Sequence, residues 1–299
     1  MARREGRQLL QSVDSHVHVW DPALLRYDWL NGVPALNRPF LPQALPHPPG
    51  TRSVFVQADC RDDQALGEVD WVAGLAADWP ELAAVVAFAP ISRGDSVSHD
   101  LDELRQRPLV RGVRQLLQDR EAGFMLAPET LAGARQAGRV GFTFDACIRS
   151  SQLLELAEFA ARVPELGIVL DHMGKPPIAA GELSDWSSAM RALARQPNVV
   201  VKISGAGAEA DPTRPLAPQA LPFIRETLAL FGGGRCMIGS DWPVSLTDPA
   251  GYQDWITTVE QAMAGASASE REGLAHGTAV RVYRLEADRG PANQEEEKD

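Results

Sequence analysis

Eight short runs rich in β-branched and apolar residues recur along the chain at fairly even intervals, and most are followed by a stretch of helical period. They fall at residues 13–19, 53–58, 84–89, 109–115, 140–146, 167–171, 198–204 and 235–240. This alternation predicts a parallel sheet joined by crossover helices. Runs such as Val54-Phe55-Val56, Val85-Val86-Ala87-Phe88 and Ile168-Val169-Leu170 are apolar at successive positions, as strands covered on both faces must be. Helical period is clearest over residues 64–78, 150–162, 184–195 and 216–231. Ser267 and Glu270 spell a capping box for a last helix that runs to Tyr283 and Leu285. Eight strand-helix units in 299 residues have the size and rhythm of a (β/α)8 TIM barrel in the α/β class, with a doubly wound open sheet as the alternative. No short repeat or low-complexity linker divides the chain. One barrel domain is expected over 13–286, between a loose N-terminal arm (1–12) and an acidic disordered tail (287–299) ending in NQEEEKD.

Residues 22–49 break the rhythm, because seven of the 22 prolines fall there beside Tyr27 and Trp29, just after Trp20. Proline removes a backbone donor and clashes with a helical turn, so this stretch reads as a long irregular loop after the first strand. In a barrel such a loop lies at the catalytic end, as a lid or pocket wall, or else as a clasp packing its aromatics over the barrel.

Charge narrows the partners. With 29 basic against 40 acidic side chains the net charge is −11, which argues against a phosphate backbone as ligand. No stretch approaches the roughly 18 unbroken apolar residues of a membrane span, and the start lacks the apolar core of a signal peptide. Cys60, Cys147 and Cys236 are odd in number and far apart, which fits buried thiols in a reducing, cytoplasmic setting. The expected partner is a small molecule, with no nucleic acid and no membrane; self-association into a homo-oligomer is left open.

His16 and His18 carry the sharpest chemical signal. Residues two apart on a strand share a face, so both imidazoles would project into the barrel and could offer nitrogen ligands to a divalent ion. His172 closes the sixth run and Asp241 the eighth, and parallel strands deliver all four side chains to one rim. The duller alternatives are a satisfied core histidine for His172 and a turn aspartate before Pro243 for Asp241. Arg114, at the end of the fourth run, could fork onto a substrate oxygen or form a surface ion pair. Lys175 is a second candidate cation, with Lys202 and Glu209 as weaker candidates near the seventh strand end, and Trp29 and Trp242 could stack on a sugar ring. His47, His99 and His276 are assigned no chemistry.

Taken in order and spacing, DSHVHVWDP, LRYDWL, RGVRQLLQD, LDHMGKP, VKISGAGAEAD and IGSDWPV resemble the amidohydrolase superfamily, in the branch of sugar lactone hydrolases of the L-fuconolactonase and L-rhamnonolactonase type. The resemblance runs from Val13 to Leu285. It implies a distorted barrel that opens a small lactone, with His16, His18, His172 and Asp241 at the superfamily's active-site positions. Two departures bear on the metal: the fourth run ends in Arg114-Gln115 with no bridging lysine, and the fifth lacks a ligand histidine. The expected cofactor is therefore one divalent ion, zinc first, on His16, His18 and Asp241, with metal-free catalysis as an open alternative.

Opening an aldono-1,4- or 1,5-lactone needs an activated water, a polarised carbonyl and a proton for the departing alkoxide. Asp241 is the expected base, and His172 the expected donor to the carbonyl or oxyanion. The competing readings are a dicarboxylate lactone hydrolase or decarboxylase of the same superfamily, and a barrel that binds without turnover. A dianion calls for several arginines at the mouth, where Arg114 is the clear one and Arg149 a weaker one.

Overall fold

In the computed structural model, which describes residues 12–246 and 249–285, the eight runs form eight strands. These are β1 (Val13–Val17), β2 (Arg52–Val56), β3 (Leu82–Phe88), β4 (Val110–Arg114), β5 (Thr143–Ala146), β6 (Ile168–Leu170), β7 (Val199–Ile203) and β8 (Cys236–Ile238). Each pairs in parallel with its sequence neighbour, in the order β1 to β8. The ring is drawn together between β8 and β1 by three bonds: Ser15 Oγ donates to Ile238 O (2.6 Å), Asp241 N to His16 O (2.8 Å) and His18 N to Trp242 O (2.8 Å). A single-domain (β/α)8 barrel is the result, and the open sheet is excluded.

The outer helices are α1 (Ala65–Gly74), α2 (Ser98–Arg105), α3 (Pro128–Arg139), α4 (Leu153–Arg162), α5 (Ser184–Leu193), the short α6 (Ala206–Glu209), α7 (Leu216–Phe231), α8 (Pro249–Ala262), α9 (Ala268–Glu272) and α10 (Thr278–Tyr283). The capping box forms as expected: Glu270 N donates to Ser267 Oγ, and Ser267 N donates to the Glu270 carboxylate (2.8 Å). Strand alternation then sorts the side chains. Val54, Val56, Ala84, Val86, Val169, Val200 and Met237 face the lumen, while Phe55, Val85, Ala87, Ile168 and Leu170 join the larger core under the helices. Ala279 and Tyr283 of α10 pack into the lumen cluster, and Arg284 reaches Arg111 O at the start of β4. The C-terminal helix therefore plugs the end of the barrel opposite the C-terminal ends of the strands.

The proline-rich stretch carries three single-turn helices, at Asp28–Gly32, Pro34–Leu36 and Pro42–Ala44, and no α-helix. Trp20 and Phe40 exchange backbone bonds of 3.0 and 2.9 Å, and the Trp20 indole donates to Leu36 O and Arg38 O. Tyr27, Leu30 and Phe40 are buried with Trp20, so the segment clasps the barrel. It also lines the mouth, as described below. All three cysteines are free and buried. No helix among the described residues is long and apolar enough to cross a membrane. The expected arm and tail lie almost wholly outside the described residues.

Candidate active site

Strand geometry accounts for the first pair of site residues: with Val17 turned into the outer core, His16 and His18 both face inward, and their Nε2 atoms stand 3.2 Å apart. Asp241 enters just after β8 at φ 59°, and His172 just after β6 at φ 54°. Non-glycine residues adopt this left-handed region at a steric cost of about 1–2 kcal/mol, and such strain gathers where a side chain must be aimed. The turn after β7 makes room for His172. Gly205 lies at φ 69°, and a Cβ there would sit 2.5 Å from the His172 ring. Asp241 Oδ1 lies 3.7, 3.5 and 3.8 Å from the Nε2 atoms of His16, His18 and His172. Its other oxygen accepts from Ser245 Oγ at 2.5 Å.

The remaining ring nitrogens are all held by protein groups. His18 Nδ1 donates to Val56 O (2.7 Å), His16 Nδ1 lies 3.2 Å from Asp171 Oδ1, and His172 Nδ1 pairs with Ser204 Oγ (2.9 Å). A neutral imidazole that donates through Nδ1 presents a lone pair at Nε2. His18 thus aims a lone pair and Asp241 a carboxylate oxygen at one centre, while His16 Nδ1 lies 3.2 Å from both a donor, Lys202 Nζ, and an acceptor, Asp171 Oδ1. Burial, with nearby Lys202 adding to it, holds His16 well below the ordinary imidazole range, although Asp171 pulls the other way. Burial takes His172 down to about 4 against the pull of Asp241 and Asp171, so it is neutral at pH 7. For Asp241, burial alone would raise the carboxyl, but His172, His18 and His16 together bring it below its usual range. It stays ionised.

Beneath these residues runs a chain of enclosed charges. Lys202 Nζ stands 2.5 Å from Asp145 Oδ2 and 3.2 Å from both Asp171 Oδ1 and His16 Nδ1. Arg114 reaches Asp171 Oδ2 at 3.2 Å, and Tyr283 donates to Asp145 Oδ2 at 2.8 Å. Asp171 is held well below its usual range because Lys202, His16 and Arg114 outweigh its burial.

Above the centre opens a cavity of about 210 Å³, smaller than the roughly 300 Å³ at which drug-sized sites begin and suited to one small ring. His18, His172 and Asp241 form its inner end, and Arg114, Trp29 and Lys175 line it as the sequence suggests. Trp29 brings the proline-rich segment into the wall beside Trp20, so clasp and pocket wall are one element. Glu209 also lines the cavity, whereas Lys202 lies below it. Trp242 is not brought to the cavity: its ring is buried edge-on against Phe40, because the turn at Asp241 sends the next side chain under the clasp. Arg149 is exposed and paired with Asp119 at 2.7 Å. Asp59, Gln118 and Cys147 line the cavity without having been singled out, and Lys175 Nζ donates to Gln118 Oε1.

Residues 13–285 match the Amidohydrolase family. The chain belongs to that family. Among curated amidohydrolase relatives, an L-fucono-1,5-lactonase of Burkholderia multivorans is 35% identical over 291 residues, covering 91% of this chain and 96% of its own. A second L-fucono-1,5-lactonase, from Burkholderia ambifaria, is 33% identical and covers 93% of this chain and 97% of its own. Among solved structures, an amidohydrolase from Burkholderia multivorans with bound zinc superposes with a TM-score of 0.80 at 33% identity, covering 92% of this chain and 100% of that one.

The donor set fits a single divalent ion. Donors on a tetrahedral zinc with bonds of about 2.0–2.1 Å stand about 3.3–3.4 Å apart, and the His16, His18 and Asp241 atoms stand 3.2, 3.5 and 3.7 Å apart. The groups that orient the other ring nitrogens are of the kind that fix metal-binding histidines.

Proposed function

We propose that this amidohydrolase opens the ring of a small sugar lactone, an aldono-1,5- or 1,4-lactone, by attack of water. The supporting observation is the convergence of His16, His18, His172 and Asp241 on the inner end of a cavity sized for one ring, with the Trp29 indole and several polar groups around its mouth. Kinship with the two Burkholderia lactonases makes a 6-deoxy-hexono-1,5-lactone such as L-fucono-1,5-lactone the first substrate to try.

In this reading Asp241, ionised across the working range, takes a proton from the attacking water and returns it to the ring oxygen as the C–O bond breaks. His172, neutral and turned by Ser204 so that Nε2–H points into the cavity, donates to the carbonyl oxygen as it gains charge. Arg114, fixed by Asp171 and by the Gln57 carbonyl, lies along the wall where it can hold a substrate oxygen. Trp29, whose indole is pinned to Ala58 O at 2.8 Å, offers a flat face to the ring, and Lys175 a donor to its hydroxyls. A divalent ion on His16, His18 and Asp241, zinc first, would supply Lewis acidity to the water and the ester carbonyl. The charges of the lining weigh against a dianionic substrate: Arg114 and Lys175 share the described wall with Asp59, Glu209 and Asp241. Residues 13–286 make up the catalytic barrel, with the arm and tail outside it, in a cytoplasmic setting that suits three free thiols.

A pH-indicator assay over a panel of 1,4- and 1,5-aldonolactones tests the proposal. Proton release is expected with at least one sugar lactone, and Asp241→Asn should slow it by about 10²–10⁴-fold. A panel without turnover, or a mutant as fast as the parent, overturns it.

A further inference from the structure

Two groups of potential ligands share one imidazole. His16, His18 and Asp241 form the first, while His16, Asp171 and His172 form the second, and all five residues are buried. The two differ in what already sits beside them. Near the second group the Lys202 Nζ stands 3.2 Å from His16 Nδ1, 3.2 Å from Asp171 Oδ1 and 2.5 Å from Asp145 Oδ2. Two carboxylates, from β5 and the turn after β6, thus converge on one nitrogen delivered by β7, with the His16 imidazole beside it. That is the arrangement of a cation site with an ammonium at its centre.

We infer that Lys202 is a tethered cation in the place a second metal ion would take, and that it keeps the centre limited to one exchangeable metal. The inference rests on the one-metal reading of the site. Lys202 is fully enclosed, so its charge is set against those of Asp145 and Asp171 and not against solvent. The carboxylates need such a charge. Burial, with Asp171 adding to it, pushes Asp145 up to about 6 even though Lys202 draws it down. Asp145 Oδ1 is buried and without a hydrogen-bond partner among the described residues, so a donor atom remains on the same carboxylate. A neutral side chain at 202 would leave two enclosed carboxylates facing space vacated by the ammonium, a hard donor set that carboxylate-preferring divalent ions fill. The lysine is held by these groups and not by solvent, so it cannot leave its post without depriving Asp145 of its ion-pair partner and leaving Asp171 to Arg114 alone.

The measurement is metal stoichiometry. Full-length wild type, Lys202→Ala and Lys202→Arg are stripped with chelator, incubated with excess zinc or manganese, desalted and assayed for metal per chain. Wild type and the arginine variant should retain about one equivalent and the alanine variant about two. A folded alanine variant that retains no more metal than wild type overturns the inference, because a proton or repacking then fills the role. So does a wild type that retains two tight equivalents, a result that stands even if the alanine variant does not fold. Wild type with no metal, beside an alanine variant that gains one equivalent, would instead remove the one-metal reading and leave the role of Lys202 standing. A purely structural lysine would move thermal stability without moving the count.

Discussion

The side chains at the floor of the cavity, His16, Arg114, Asp171 and Lys202, come from strands or strand ends and are almost wholly enclosed, whereas those at the rim, Trp29, Asp59, Lys175 and Glu209, come from loops and one-turn helices between strands and keep part of their surface open. Every floor charge has an opposite charge within 3.2 Å. The rim is tied by single bonds: Lys175 to Gln118, and Trp29 to the Ala58 carbonyl. Floor groups are mutually dependent, so a change to one is felt by the others; rim groups can vary singly while the fold persists. In the proposed function, the first kind of surface holds the reacting centre in place and the second tunes substrate choice.

Removing a floor partner should give the largest effect. Asp171→Ala deprives Arg114 and Lys202 of a counter-charge and His16 of its orienting carboxylate, and should cost about 3–5 kcal/mol in chemical denaturation. The surviving folded protein should hold metal about 10–100-fold more weakly. A loss no greater than that of an exposed aspartate would show that the floor is not a network at all.

At the rim the effect should be smaller and of another kind. Lys175→Met and Glu209→Gln should each change KM for the preferred lactone by up to about tenfold, the worth of roughly 1.4 kcal/mol of binding, with kcat little altered. A fall in kcat equal to that of a floor mutant would erase the division between the two surfaces.

A last test, which leaves turnover untouched, concerns what supports the rim from behind. Glu68 of α1 is buried and accepts from Ala58 N at 3.2 Å, under the wall that holds Trp29. Burial pushes its carboxyl up to about 7 from an ordinary 4.5, against the pull of the Ala58 amide. A raised carboxyl binds its proton more tightly in the folded chain, so its contribution is intact below the unfolded value and is lost as pH climbs through the folded one. Stability should therefore decline between about pH 4.5 and 7 by an amount on the order of 3 kcal/mol at most. Glu68→Gln, which keeps an acceptor for Ala58, should flatten that slope and melt higher than the parent at pH 8, with turnover unchanged. Parallel pH profiles in the two proteins would remove Glu68 as the source. Asp241 has the opposite sign, since its depressed carboxyl adds stability that is lost only as the solution is acidified.

How far the sequence could be read follows the same division. The eight strands were legible because apolar runs in a parallel barrel are covered on both faces and interrupted by helical period. His16 and His18 were legible because two imidazoles at strand spacing make poor core material, and His172 and Asp241 because they close later strands. The charges below were harder to see. Asp145 and Lys202 sit in short apolar strands where a charged residue reads as a strand end, yet Lys202 has the inward parity of Val200, which was the available signal. Asp59 and Gln118 reach the cavity through loops, whose path no periodicity encodes. Trp242 lay beyond it too, because a single left-handed residue at 241 decides whether the next ring faces the cavity or the clasp.

The seam between β1 and β8 has a consequence in time. Ser15 and Ile238, which join there, are 223 residues apart, and Tyr283 reaches Asp145 across 138. Contacts this remote are late to form and must await the closure of long loops. A chain still emerging from the ribosome carries both strand-one histidines long before it owns their carboxylate, and it carries Lys202 before it has the α10 that packs into the lumen below. Catalytic competence in this fold is thus a property only of a nearly finished chain, and no half-length fragment can be expected to work.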